Sequence, residues 1–156
     1  MSIWTTLQGE QDLVETLEET GRLATTVIGE SFDGTPILLW RIGGDVNGPP
    51  AMTDQATLLF VGLQHGNEPA GREALLRLAE HLCTTSDEDE LELLDDHGVL
   101  MIPTANPDGF PSQRLNGNGD DLNRHHMTLA TPENRAMATV MGAARPYVVA
   151  DHHEFG

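Results

Sequence analysis

Histidines and acidic residues with spacings suited to metal binding occur at two separated places in this chain. In the segment HGNE, His65 and Glu68 lie three residues apart. The segment DHHE, residues 151–154, places two adjacent histidines between acidic residues. Catalytic zinc is commonly held by two histidines and a carboxylate, with a fourth position open for water. His65, Glu68 and one histidine of the second segment would provide that set.

A glycine-rich segment carries a second kind of chemistry. RLNGNGDDLNR, residues 114–124, contains Arg114, Asn123 and Arg124. Only eight residues of the chain are Lys or Arg, and all eight are arginines. Arginine together with asparagine can bind a carboxylate or stabilise an oxyanion. The alternative is a surface loop whose arginines are only solvated.

Three apolar runs must position these side chains. Residues 56–66 contain His65 and are followed by Glu68, residues 99–104 precede Asn106, and residues 147–150 precede the DHHE segment. In open α/β sheets, sites form beyond the carboxyl ends of the strands. If the three runs are parallel neighbours, their polar ends converge at one edge of the sheet.

The remaining segments alternate between helix and strand patterns. An acidic helix is expected within the first twenty residues, and it should end at Gly21. A second helix is expected over 69–83, with Ala74, Leu75, Leu78 and Leu82 on one face. The other predicted elements are a hairpin of strands 24–31 and 36–43 with an Asp-Gly turn, a loop from 47 onward, a solvated acidic segment over 84–98, and a helix over 132–145. This order predicts an α/β fold with a mixed, mostly parallel central sheet flanked by helices.

Charge and cysteine content exclude several classes of function. The net charge is −17 and there is no lysine, so nucleic acid and anionic membranes are not expected as partners. Cys83 is the single cysteine, which excludes a disulfide framework and a four-cysteine zinc site. No signal peptide and no apolar stretch of ~18 residues is found, so a cytoplasmic location is expected.

Four motifs in order resemble the zinc carboxypeptidases of the M14 family: HGNEPAG, NPDGF, RLNGNGDDLNR and DHHE. The resemblance begins at the predicted hairpin and continues to the C-terminus. It implies one zinc ion bound by His65, Glu68 and the histidine of a D-x-H pattern, which is His153 rather than His152. Strand alternation agrees, because Asp151 and His153 fall on one face of a strand and His152 on the other.

The resemblance also implies roles for neighbouring residues. Arg114 matches an arginine that stabilises an oxyanion, and Asn123 and Arg124 match a pair that binds the C-terminal carboxylate of a peptide. Asp121 matches an aspartate that orients the first zinc histidine. Residues 106–110 match a motif that shapes the loop leading into the site.

The activity implied by the resemblance is zinc-dependent hydrolysis of C-terminal residues from peptides. The alternatives are a related deacylase of N-acyl amino acids, a zinc-binding fragment without catalysis, and an acidic binding protein with coincidental motifs. The general-base glutamate and the substrate-covering tyrosine of the family find no match, and Glu154 should face away from the metal. Residues 1–156 are therefore expected to be the N-terminal portion of a single, truncated catalytic domain. An unpaired sheet edge would then favour self-association.

Overall fold

The computed structural model describes residues 3–43, 46 and 57–155. The predicted loop from residue 47 and the predicted strand start at residue 56 lie outside these residues. The helices are α1 Leu7–Glu18, α2 Pro69–Thr84, α3 Glu88–Asp96 and α4 Pro132–Ala144, with a turn of 3-10 helix at Leu122–Arg124. The strands are β1 Leu23–Glu30, β2 Pro36–Ile42, β3 Leu58–Val61, β4 Val99–Ile102 and β5 Val148–Asp151.

The five strands form one mixed sheet in the order β1-β2-β4-β3-β5. β3 pairs in parallel with both β4 and β5, whereas β2 is antiparallel to β1 and to β4. Four of these strands therefore point the same way, although only two of the four pairings are parallel. The predicted mixed α/β sheet flanked by helices is confirmed. The three strands with polar ends are parallel neighbours, with β3 in the middle.

Both faces of the sheet are covered by apolar side chains. Along β2, Trp40 and Ile42 belong to the core beneath α1, α2 and α3, while Ile37 and Leu39 belong to the core beneath α4. This alternation follows from the two-residue period of a strand. The central strand β4 is consequently buried on both sides, as its continuous apolar sequence indicated, whereas β3 is fully buried on one side and partly on the other.

The β1–β2 hairpin turns at the predicted Asp-Gly pair. Gly34 has a φ of +86°, in the left-handed region that glycine adopts at no steric cost. Its N–H donates to the carbonyl of Ser31 at 3.0 Å, which closes the turn. The sequence signal for this hairpin is therefore matched by the backbone conformation that it requires.

The buried face of α2 agrees only in part with the predicted one. Leu75 is buried as predicted, and Leu78 and Leu82 are partly buried against the same core, but Ala74 is exposed. The residues of α2 that enter the core beneath the sheet are Leu75, Leu76, Ala79 and Cys83. The helix carries apolar residues around much of its circumference, so its spacing alone did not define the packed face.

The acidic segment after α2 contains a helix that was not predicted. The side chain of Asp87 accepts hydrogen bonds from the N–H groups of Asp89 and Glu90 and so caps α3. Leu94 is buried in the core, while most other side chains of α3 are solvated as expected. None of the described helices combines the length and the apolar composition needed to cross a membrane.

β3 is shorter than its apolar run, and its end leads directly to the site. Gly62 continues the pairing, because its N–H donates to the carbonyl of Ile102 at 2.9 Å. A Cβ at Gly62 would lie 2.7 Å from the carbonyl oxygen of Pro103, so only glycine fits there. Leu63 then takes a φ of +53°, and the chain leaves the sheet toward His65.

Candidate metal centre

Three side chains meet beyond the carboxyl ends of β3 and β5. His65 follows β3, Glu68 immediately precedes α2, and His153 lies two residues after β5. Their possible ligand atoms all lie within 4.8 Å of one another. Within residues 3–43, 46 and 57–155, this is the only group of three or more such side chains close enough to hold a metal ion.

Both histidines turn the same ring nitrogen toward the carboxylate. Nδ1 of His65 lies 3.0 Å from Oε1 of Glu68 and 3.2 Å from Nδ1 of His153. Nδ1 of His153 lies 2.9 Å from Oε2 of Glu68. Two imidazole nitrogens and a carboxylate around one point are a donor set that fits zinc and leaves a coordination position open.

The opposite nitrogen of each histidine meets an aspartate. Nε2 of His65 lies 2.9 Å from Oδ1 of Asp121, and Nε2 of His153 lies 3.0 Å from Oδ2 of Asp151. Such carboxylates hold a ligating imidazole in one tautomer and one orientation. The partnership of Asp151 with His153 was not predicted, although the D-x-H spacing contained the signal. The buried Gln64 donates to the same Asp151 oxygen at 2.6 Å.

The electrostatics of the site favour ionised carboxylates. Burial raises the pKa of Glu68, but hydrogen bonds from His153, the Glu154 N–H and His65 outweigh it and hold that pKa below its usual value. Burial likewise raises the pKa of Asp121, but the neighbouring His65 and Arg114 outweigh burial and hold that pKa below its usual value. Burial lowers the pKa of His153, whereas Glu68 and Asp151 raise it to a net value above the usual one.

Arg114, the predicted oxyanion-stabilising residue, lies at the rim of this cluster. Its Nη1 is 3.0 Å from Oε1 of Glu68 and its Nε is 3.2 Å from Oδ2 of Asp121. The side chain is 43% exposed, so part of the guanidinium faces solvent. A positive charge is therefore available beside the three possible ligands.

Asn123 and Arg124 lie in the 3-10 turn that Asp121 caps. Nδ2 of Asn123 is 3.5 Å from Nε2 of His153, and its backbone N–H donates to Oδ1 of Asp121. Arg124 is exposed and donates to the carbonyl of Asn123 at 3.0 Å. Arg124 forms no ion pair with any residue that the structure describes. Its guanidinium is thus free to bind an anion from solution.

The predicted loop over 106–110 packs directly onto the HGNE segment. Nδ2 of the fully buried Asn106 donates to the carbonyls of Gln64 and Arg114 at 3.1 and 3.4 Å. A Cβ at Gly66 would lie 2.1 Å from the carbonyl carbon of Gly109. Glycine at position 66 therefore permits this close approach.

Sequence reasoning missed the buried Arg72. Its Nη2 lies 2.6 Å from Oε2 of Glu10 in α1, and its Nε donates to Oγ1 of Thr104 at 2.8 Å. The guanidinium carbon sits 4.6 Å from the centre of the Phe110 ring. Helical arginines are usually exposed, so no local pattern distinguishes this one.

The other histidines were expected to be surface or structural residues, and none joins the cluster. His81 is 57% exposed and pairs with Glu90 at 3.0 Å. His125 contacts Thr128 in its own loop. His97 and His126 also lie outside the group of possible ligands.

Comparison with known proteins identifies related chains. A family model described as zinc carboxypeptidase, peptidase M14, matches residues 10–140. Carboxypeptidase E of Caenorhabditis elegans is 35% identical over 113 residues, covering 62% of this chain and 24% of the relative. Human carboxypeptidase Z is 31% identical over 145 residues, covering 83% of this chain and 22% of the relative. The chain thus spans about a quarter of these relatives' length.

Solved structures show the same fold. A metallo-carboxypeptidase from Burkholderia cenocepacia superimposes with a TM-score of 0.84 at 20% identity, covering 96% of this chain and 41% of that one. A metallo-carboxypeptidase from Pseudomonas aeruginosa gives a TM-score of 0.81 at 23% identity, covering 96% and 40%. Together with the family match over residues 10–140, the chain belongs to the zinc carboxypeptidase family, which implies a single zinc ion as its cofactor.

Proposed function

We propose that this chain carries the zinc site and substrate-binding residues of a metallocarboxypeptidase that hydrolyses C-terminal residues from peptides. His65, Glu68 and His153 would hold the ion. The observation that carries the proposal is that both Nδ1 atoms and the Glu68 carboxylate share one centre, while each Nε2 meets its own aspartate. When bound, zinc lowers the pKa of a water ligand and polarises a carbonyl group.

Arg114 would stabilise the charge that develops on the scissile carbonyl oxygen. Its exposed guanidinium lies within hydrogen-bonding distance of Glu68, beside the proposed zinc ligands. Hydrogen-bond donors fixed at the position of the developing oxyanion lower the barrier, because little reorganisation is needed during the reaction. Water adds to the carbonyl carbon, the C–N bond breaks, and the terminal residue leaves with a free amino group.

Asn123 and Arg124 would select substrates with a free C-terminal carboxylate. Arginine can bind a carboxylate through two parallel hydrogen bonds, and Arg124 has no competing carboxylate among the described residues. The position of Asn123 beside His153 supports a substrate terminus close to the metal. This arrangement favours an exopeptidase.

Glu154 does not serve as the general base in this proposal. Its carboxylate accepts a hydrogen bond from the N–H of Ala70 at the start of α2, and so it is engaged away from the metal. The base would come from a further part of the catalytic domain. Loss of a positioned base typically reduces the rate by about 10²–10⁴.

We further propose that residues 1–156 are the N-terminal portion of a single catalytic domain. The coverage of 41% of the Burkholderia structure supports this, because more than half of that chain lies outside the matched region. The apolar side chains along β5 also support it: Val148 and Val149 are 47% and 45% exposed at the edge of the described sheet. Self-association through this edge remains a prediction.

The test is hydrolysis by the zinc-reconstituted chain, with zinc content measured on the same sample. The substrates are a blocked dipeptide with a free C-terminal carboxylate, its C-terminal amide, and an N-acetyl amino acid. One zinc per chain with slow cleavage of the free-acid dipeptide alone supports the proposal. Preference for the N-acetyl amino acid would indicate the deacylase instead. Zinc without any cleavage would leave a metal site whose activity needs the rest of the domain.

Matched variants distinguish the loss of a zinc ligand from the unspecific effect of removing a histidine or an arginine. His65→Ala and His153→Ala should lose bound zinc, whereas His81→Ala, which removes an exposed histidine, should retain it. Absence of zinc in the unsubstituted chain would contradict the assignment of the ligands. Arg124→Ala should weaken binding of the free-acid substrate, and the exposed Arg145→Ala serves as its control.

A further inference from the structure

The segment after β5 lies directly across the first turn of α2. The N–H of His152 donates to the carbonyl of Val61 at 2.9 Å, and its ring lies 5.9 Å from that of Phe60. A Cβ at Gly71 would lie only 2.6 Å from Cβ of His152. The two segments therefore approach so closely that a side chain at Gly71, the third residue of α2, would not fit.

Glu154 joins this segment to α2 through two hydrogen bonds. Its carboxylate accepts from the N–H of Ala70, and its own N–H donates to Oε2 of Glu68 at 3.1 Å. Glu68 occupies the N-cap position of α2 but makes no side-chain capping bond. The first N–H groups of a helix need acceptors, and a negative charge there is favourable. For the N–H of Ala70 this acceptor is Glu154, which lies 84 positions away in sequence.

We propose that Glu154 is a positioning residue that sets the affinity of the zinc site, an inference that rests on the zinc ligands proposed above. His153 and Glu68 come from different elements, since His153 follows β5 and Glu68 precedes α2. Glu154 follows His153 directly and binds the helix that Glu68 begins. The capping bond therefore fixes the separation of the two ligands, without Glu154 touching the ion or the substrate.

The experiment measures the zinc dissociation constant of the full chain by competition with a chromophoric chelator. Glu154→Ala should raise this constant about tenfold, as losses of outer-shell partners typically do. Glu154→Gln keeps an oxygen that can accept from Ala70 and should remain near the unsubstituted value. Glu154→Asp keeps the charge but shortens the side chain, so it should bind zinc more weakly than the glutamine variant. This order distinguishes positioning from a simple effect of charge.

Asp87→Ala provides the matched control, because it also removes a carboxylate that caps a helix, at the start of α3. It should lower the thermal unfolding temperature without changing zinc affinity. An unchanged constant in Glu154→Ala, an aspartate variant tighter than the glutamine variant, or equal weakening by Asp87→Ala would each overturn the inference. Failure of the unsubstituted chain to bind zinc would instead overturn the proposed site itself. The two failures are thus distinguishable.

Discussion

Oδ1 of Asp121 lies 2.9 Å from Nε2 of His65, on the side of the ring opposite the Nδ1 that faces Glu68. The other oxygen of the same carboxylate lies 3.2 Å from Nε of Arg114. One aspartate therefore contacts both a proposed zinc ligand and the proposed oxyanion-stabilising residue. A hydrogen on Nε2 leaves Nδ1 free to bind a metal.

Asp121→Asn should weaken zinc binding by about 10–100-fold, because the amide no longer holds His65 in that tautomer as firmly. Competition with a chelator would measure the change. Asp120→Asn is the control, since Asp120 contacts Asn118 and lies near His125, which is not a proposed ligand, rather than contacting His65. Equal affinities of the two variants would contradict the role of Asp121.

Arg72→Ala should lower the free energy of unfolding by about 3–5 kcal/mol, because it leaves the carboxylate of Glu10 buried without its partner. Glu10 is only 7% exposed. Arg77→Ala, in the same helix, removes a side chain that is 70% exposed and should cost less than about 1 kcal/mol. Urea unfolding of both variants measures the difference, and similar losses would refute a special role for Arg72.

Gly71→Ala should destabilise the fold by about 1–3 kcal/mol, because the new Cβ would overlap His152 and force the segment after β5 away from α2. Gly142→Ala is the matched substitution in α4, where no atom of the described part of the chain lies within 4 Å of the added Cβ. That variant should gain up to about 1 kcal/mol from helix propensity. A stabilising effect at both positions, by thermal or urea unfolding, would contradict the close approach at Gly71.

Cys83 should react slowly with thiol reagents in the native protein. The residue is 2% exposed, and burial raises the pKa of its thiol to about 11, so little of the reactive thiolate is present near neutral pH. Labelling with a chromogenic disulfide reagent should be complete only after addition of denaturant. Rapid labelling of the folded chain would show that this part of the core opens.

Glu73→Gln should lower stability at neutral pH but have little effect in acid. Burial alone would raise the pKa of Glu73. Hydrogen bonds from Thr5 and the charge of Arg77 outweigh the effect of burial, so the pKa of Glu73 in the folded chain lies below its usual value. The ionised carboxylate therefore stabilises the fold above its unfolded pKa, and the contribution disappears as the pH falls through the folded value.

Urea unfolding at about pH 7 and about pH 3 would show whether the free energies of unfolding of Glu73→Gln and the unsubstituted chain become equal in acid. Glu80→Gln is the control in the same helix, where the carboxylate is 48% exposed and, among the residues that the structure describes, forms an ion pair only with Arg77 at 3.3 Å. A constant difference between Glu73→Gln and the parent at both pH values would contradict the expectation.

The metal centre could be anticipated because its signals are local. Each of three apolar runs ends in polar residues, and parallel pairing brings such ends to one edge of a sheet. The Arg72–Glu10 ion pair could not be predicted from the sequence, because its partners lie 62 residues apart and no short pattern links them. The buried face of α2 was predicted only in part: Leu75 was expected, but Leu76 and Ala79 were not, since their positions become buried only through contact with the rest of the core.

The parallel pairing of β3 with β5 makes metal binding depend on the whole fold. Glu68 and His153 are 85 positions apart in sequence, so an ion held by both would act as a reversible crosslink that closes a long loop. In the unfolded chain the pair of His65 and Glu68 and the segment 151–154 are separate short-range groups, each of which binds far less tightly than the assembled site. Zinc would therefore raise the unfolding temperature in proportion to the logarithm of its concentration, and its uptake would report that β5 has docked.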